Sequence, residues 1–98
     1  MRICLTLFLS LCAICLQAQD VDAIFSKANK NYNLGSYKEA LKGYDSIVQL
    51  GVHSPELYFN MGNAHYKLNR IAPSILNYEK AQLLDPSNED IQHNLRFA

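Results

Sequence analysis

The residues of this 98-residue chain that could do chemistry are three histidines, three cysteines and nine carboxylates. Their spacing argues against a catalytic or metal centre. His53, His65 and His93 are 12 and 28 residues apart. No pair therefore has the i, i+4 interval that sets two imidazoles on one helix face around a metal. Packing at the surface or between helices accounts for each of them. Asp45 and Glu79 fall on outer helix faces. Glu89 and Asp90 fall in a first helical turn, where acidic side chains are favoured by the helix dipole. There is no nucleophile motif and no glycine-rich phosphate loop. Lys38 and Lys42 read as a solvated face. These residues point to a protein that is not an enzyme, with no cofactor, no metal and no small-molecule substrate.

All three cysteines, Cys4, Cys12 and Cys15, lie in the uncharged stretch Ile3 to Leu16, which follows Met1-Arg2. That stretch is shorter than the roughly 20 residues of a membrane-spanning helix, and it fits the apolar core of a secretory signal peptide. Residues 1–18 are expected to be that signal, cut near Ala18-Gln19, with an uncleaved anchor as the alternative. Leu11 and Ile14 precede Cys12 and Cys15, and neither is the small residue that a lipid-modified cysteine follows. A chain cut there keeps no cysteine, so no disulfide framework is available to it. The expected location is periplasmic, or membrane-associated on the periplasmic side. Residues 19–98 hold every acidic residue and every basic one except Arg2, a net charge of about −1. Without a basic block, nucleic acid is not an expected partner. Eighty residues bury only a thin core, so neighbours or further chain are expected to complete its stability.

The positioning elements follow from an internal period of 34 residues. At that shift Phe25 meets Phe59, Asn29 meets Asn63, Tyr32 meets Tyr66, Leu34 meets Leu68 and Tyr44 meets Tyr78. Conservative pairs share the register, including Ala28 with Gly62 and Leu41 with Ile75. Two repeats result, 21–54 and 55–88, with a partial third over 89–98. Each reads as two helices. Apolar residues recur near a 3.6 period at Ile24, Phe25, Ala28 and Tyr32, and again at Ala40, Leu41, Tyr44, Ile47 and Val48. Gly35 and Gly51 are suited to left-handed helix ends. Asn69 replaces the first of them in repeat two, and Asn also visits that conformation. Ser54-Pro55 is a strong helix start. Pro73 must lie in a first turn, since an interior site would cost about 3 kcal/mol. The expected fold is all-α.

At these residues the chain resembles the tetratricopeptide-repeat (TPR) family. Met61 to Arg70 resembles the family's first helix and turn, and Tyr78 to Pro86 its second helix and closing proline. Leu34 to Leu41 matches in repeat one. Lys27 and Val52 depart from the pattern. Lys27 implies that its face has no preceding repeat to pack on. Residues 16–20, the two repeats and Asp90 to Ala98 together resemble the TPR protein of the Bacteroides aerotolerance (Bat) group. That resemblance implies a module beside inner-membrane Bat partners, continuing past Ala98 into membrane-spanning segments.

The resemblance also implies a concave face lined by first helices. Its groove residues would be Asp22, Phe25, Asn29, Tyr32 and Asn33, then Glu56, Phe59, Asn63, Tyr66 and Lys67, and all but Asp22 and Glu56 are the expected partner-binding residues. Phe25, Asn29 and Tyr32 stand at i, i+4 and i+7, as do Phe59, Asn63 and Tyr66, so each set shares one helix face. An Asn amide can donate to and accept from an extended backbone, and rings supply apolar area at low entropic cost. The alternative is that the rings pack between repeats and the Asn side chains bond neighbouring backbone. A carboxylate clamp of the kind some TPR domains use is not expected, because Phe25, Asp90 and Asn94 occupy its Lys positions. The function implied is a protein–protein interaction module or scaffold binding a protein or peptide segment. The alternatives are a spacer or capping subunit of a membrane complex, docking through its convex face or helix ends, or a member of an enzyme assembly that contributes no catalytic residue.

Overall fold

The computed structural model describes residues 20–98, and the expected signal segment lies outside them. The described residues are helical throughout, with no strand: α1 (20–33), α2 (Tyr37–Gln49), α3 (Pro55–Lys67), α4 (Ile71–Leu84) and α5 (Glu89–Phe97). The all-α expectation holds. α1–α2 and α3–α4 form two helical hairpins, and α5 stacks on the second.

The turns follow from single residues. Three helix ends carry the same pair of backbone bonds. Ser36 N–H donates to Asn31 O at 2.8 Å and Gly35 N–H to Tyr32 O at 3.0 Å. Val52 and Gly51 repeat this on Ile47 and Val48, and Arg70 and Asn69 on His65 and Tyr66. This six-to-one, five-to-two pattern needs a left-handed residue at its centre. Gly35 (φ 80), Gly51 (φ 86) and Asn69 (φ 61) supply it. α4 ends differently, at Asp85-Pro86, where proline cannot continue a helix. α3 and α5 open on side-chain caps: Leu57 N–H donates to Ser54 Oγ and Ile91 N–H to Asn88 Oδ1, each at 3.1 Å. Pro55 is the first residue of α3, and Pro73 lies in the first turn of α4, as expected.

The core runs along the stack. Ala28, Ala40, Leu41, Tyr44 and Ile47 bury the first hairpin, and Leu57, Tyr58, Met61, Ala64, Tyr78 and Ala81 the second. Ile91 of α5 is only 2% exposed, and Leu95 packs beside the same core. Burying each such aliphatic side chain stabilises by about 1.5–3 kcal/mol.

The helices of a hairpin cross where side chains are small, but the two hairpins solve this differently. A Cβ added at Gly62 would lie 2.5 Å from two Tyr78 ring carbons, and one at Gly43 would lie 2.8 Å from Ala28 Cβ. In the shared register the first hairpin pairs Ala28 with Gly43, and the second pairs Gly62 with the larger Asn77. Each crossing keeps one glycine. In the second hairpin Ser74, fully buried, donates to Gly62 O at 2.8 Å.

Candidate functional site

The second helix of each hairpin lays one buried tyrosine against its own first helix. Tyr44 and Tyr78 are 1% and 2% exposed. A hydroxyl buried to that extent needs a partner. Tyr44 donates to Asn29 Oδ1 at 2.6 Å, and Tyr78 to Asn63 Oδ1 at 2.5 Å. The same oxygens take a second bond from the next first helix, from Asn60 Nδ2 at 3.1 Å and from Asn94 Nδ2 at 3.0 Å. Tyr44, Asn29 and Asn60 thus form a unit that recurs 34 residues on as Tyr78, Asn63 and Asn94. Each unit ties three helices together: α1, α2 and α3, then α3, α4 and α5.

Burial raises the Tyr44 pKa to about 12, with Tyr32 adding to it. Burial raises that of Tyr78 too. Both phenols are therefore neutral donors at ordinary pH. Tyr32 is also raised, first by burial and then by Tyr37, whose ring meets it edge-on at 5.2 Å.

Over this floor lie two adjoining clefts that share Tyr32. The larger, about 420 Å³, is lined by Tyr32, Asn63, Tyr66, Lys67, Tyr78, His93, Asn94 and Phe97. The smaller, about 270 Å³, is lined by Asn29, Tyr32, Asn33, Tyr44 and Asn60. Six of the ten residues expected on the concave face meet here, Asn29, Tyr32, Asn33, Asn63, Tyr66 and Lys67, whereas Asp22 and Glu56 line neither cleft. Phe25 and Phe59 do not line these clefts. Both are half-buried, at 5.8 Å from the Tyr44 and Tyr78 rings respectively. The rings pack within their own hairpins. Phe59 also borders a separate cleft with Glu56, Asp85 and Asp90.

The asparagines carry a sharper chemical message than their type alone. Each carbonyl oxygen already accepts two hydrogen bonds within the fold, which fills its capacity. What Asn29 and Asn63 retain for a partner is the N–H side of the amide. Their bonds run to side chains, where the alternative reading had backbone.

Residues 55–88 match the family model of the tetratricopeptide repeat. Tetratricopeptide repeats generally mediate protein–protein interactions, and the family is generally non-enzymatic. The matched repeat comprises α3 and α4, beginning at Pro55, and the 34-residue register carries the same helix pair back onto α1 and α2. No curated protein matches the chain.

Six cleft residues were not expected there from the sequence: Tyr44 and Tyr78, which read as core, and Asn60, Asn94, His93 and Phe97. A signal for two of them was present, since Asn60 and Asn94 are also 34 apart. His93 stands where the repeats have Phe25 and Phe59, and Phe97 where they have Asn29 and Asn63. The His93 and Phe97 rings meet at 4.8 Å and close the end of the larger cleft.

Proposed function

We propose that this is an exported, non-catalytic interaction module that binds an extended segment of a partner protein along the concave face. The observation that carries this reading is the larger cleft, where side chains of α1, α3 and α5 converge over the Tyr78 floor. Its exposed chemistry is aromatic and donor-rich: the Tyr32 and Tyr66 rings, the Asn63 amide N–H groups and the Lys67 ammonium. A partner backbone in extended form presents carbonyl acceptors at regular intervals, which is what these donors lack. Concave surfaces of stacked repeats commonly serve in this way.

The uncharged segment Ile3 to Leu16 supports export, and the likeness of the chain's two ends to the Bat-group protein supports work beside inner-membrane partners on the periplasmic side. Cell fractionation with sequencing of the mature amino terminus tests the location. A cytoplasmic protein that retains Met1 would overturn it.

Binding is tested with a photo-crosslinking residue at position 66 in the cleft and, separately, at position 42 on the convex side. Position 66 is expected to capture a discrete partner that position 42 does not. Replacing Lys67 and Tyr32 with Ala is expected to reduce that capture with helix content unchanged. Equal capture from both positions would sink the groove reading. Asn29 and Asn63 are poor choices for this test, because their loss strands buried tyrosine hydroxyls as well.

A further inference from the structure

The two hairpins act as a control for each other. α2 and α4 are equivalent helices, and α2 has a following hairpin in place. The outward residues of α2 are Lys38, Glu39, Lys42 and Gln49. All are exposed despite that following hairpin, and Lys42 pairs with Glu39 at 3.2 Å. In α4 the same four positions hold Ala72, Pro73, Leu76 and Leu83, again all exposed. Leu76 is 51% exposed and Leu83 82%. A following repeat does not cover these positions, so their apolar character does not prepare for one.

A surface helix normally turns its polar face outward. α4 does the reverse. Ala72, Leu76 and Leu83 form one stripe on the side opposite buried Ser74, Tyr78 and Ala81. At mid-height the stripe is flanked by Glu79 on one side and Lys80 on the other. The Lys80 ammonium lies 5.5 Å from the centre of the Tyr58 ring, and the residue stays exposed.

We propose that this stripe pairs with its counterpart on a second copy of the chain, the two α4 helices lying side by side and parallel. A twofold axis along the helices sets Leu76 against Leu76 and Leu83 against Leu83. It also brings Glu79 of each copy beside Lys80 of the other, on both flanks. An antiparallel pair would instead face Glu79 with Glu79 and Lys80 with Lys80, which costs energy. The balanced flanks do not suit an anionic bilayer, which attracts faces rich in Lys and Arg.

The area fits as well. Ala72, Leu76 and Leu83 on the stripe, with Pro73 and Leu84 beyond Lys80 at its rim, together expose apolar surface on the order of 400 Å². A standard interface takes about 800 Å² from each partner, somewhat over half of it apolar.

Sedimentation equilibrium on the full chain tests this, with circular dichroism to confirm that each variant folds. The expected result is a dimer that Leu76→Lys and Leu83→Lys each weaken by at least about tenfold in Kd. Glu79→Lys should weaken it too, and the swap Glu79→Lys with Lys80→Glu should restore it. A monomer at about 100 µM, well above the Kd range of specific interfaces, overturns the proposal. So does a dimer indifferent to Leu83→Lys. A swap no better than Glu79→Lys alone overturns the parallel pairing. Flotation with phosphatidylcholine vesicles that Leu83→Lys abolishes, with the mass monomeric, assigns the stripe to a bilayer instead.

Discussion

Replacing Asn63 with Ala removes the acceptor on which Tyr78 and Asn94 converge, and the geometry sets the expected cost. Tyr78 is 2% exposed, so its hydroxyl is stranded with little recourse to water. A buried donor left unsatisfied costs about 1–3 kcal/mol. Asn94 is half-buried and borders the larger cleft, so its amide turns to solvent at small expense. The sum is a loss of about 2 kcal/mol, or roughly 10 °C in melting temperature for a domain of this size. Tyr78→Phe should cost less, about 0.5–1 kcal/mol, because Asn63 Oδ1 keeps its bond from Asn94. With both changes made, no hydroxyl is stranded. The double variant should then be more stable than the summed singles by about 1 kcal/mol. Urea denaturation of the four proteins measures this coupling. The same cycle on Asn29 and Tyr44 should give a similar value, since the unit recurs there. Additivity within about 0.3 kcal/mol would mean instead that the hydroxyl is not stranded and that water in the cleft satisfies the phenol.

Gly62→Ala gains about 1 kcal/mol of helix propensity but drives a methyl into the Tyr78 ring, so a net loss of about 1–2 kcal/mol is expected in denaturation. His65 is half-buried with no partner on Nδ1 among the described residues, and its pKa is lowered by burial and then by Arg70, with Asp45 opposing. Its neutral form favours the fold, so stability is full above the unfolded pKa of about 6.5 and is lost as pH falls through it towards the lower folded value. Melting temperatures from pH 7.5 to 5 should fall, and His65→Gln should flatten that fall. Ser54→Ala removes the cap on Leu57 N–H and should cost about 1 kcal/mol, read as lower thermal stability. Asn69→Gly keeps the left-handed turn at lower strain and should leave the melting temperature unchanged or slightly higher, whereas Asn69→Val should lower it.

Much of the fold was legible because the 34-residue register reports local chemistry. Gly35, Gly51 and Asn69 end helices for reasons internal to the backbone, and Ser54 and Asn88 start them through bonds spanning three residues. The cleft was legible only in part. Grouping Phe25 with Asn29 and Tyr32 by helical spacing uses one helix alone, and it misses the Tyr44 ring that the second helix lays against Phe25. The role of Asn60 and Asn94 was hidden for a related reason. Their bonds to Asn29 and Asn63 join first helices of successive units, contacts of 31 residues that no single-helix pattern contains. α4 concealed its orientation because apolar residues surround it: Ile71, Ala72, Ile75, Leu76, Leu83 and Leu84 leave no clear polar side.

The two devices that join successive units both change character at α5. The polar ladder needs an Asn on each first helix to accept from the tyrosine of its own second helix. Asn29 and Asn63 do so, but the third position is Phe97, which is 70% exposed and cannot accept a hydrogen bond. The close helix crossing needs a small residue, supplied by Ala28 and Gly62, and the third position is Arg96. Where a Cβ on Gly62 already collides with the Tyr78 ring, an arginine stem leaves no room for an equivalent tyrosine. α5 therefore receives the stack through Ile91, Leu95 and Asn94 but does not offer the next unit the same surface. The residues that end the ladder, Phe97 with its neighbour His93, are also those that wall the larger cleft. The third position of the register thus shapes the cleft, where the first two join successive units.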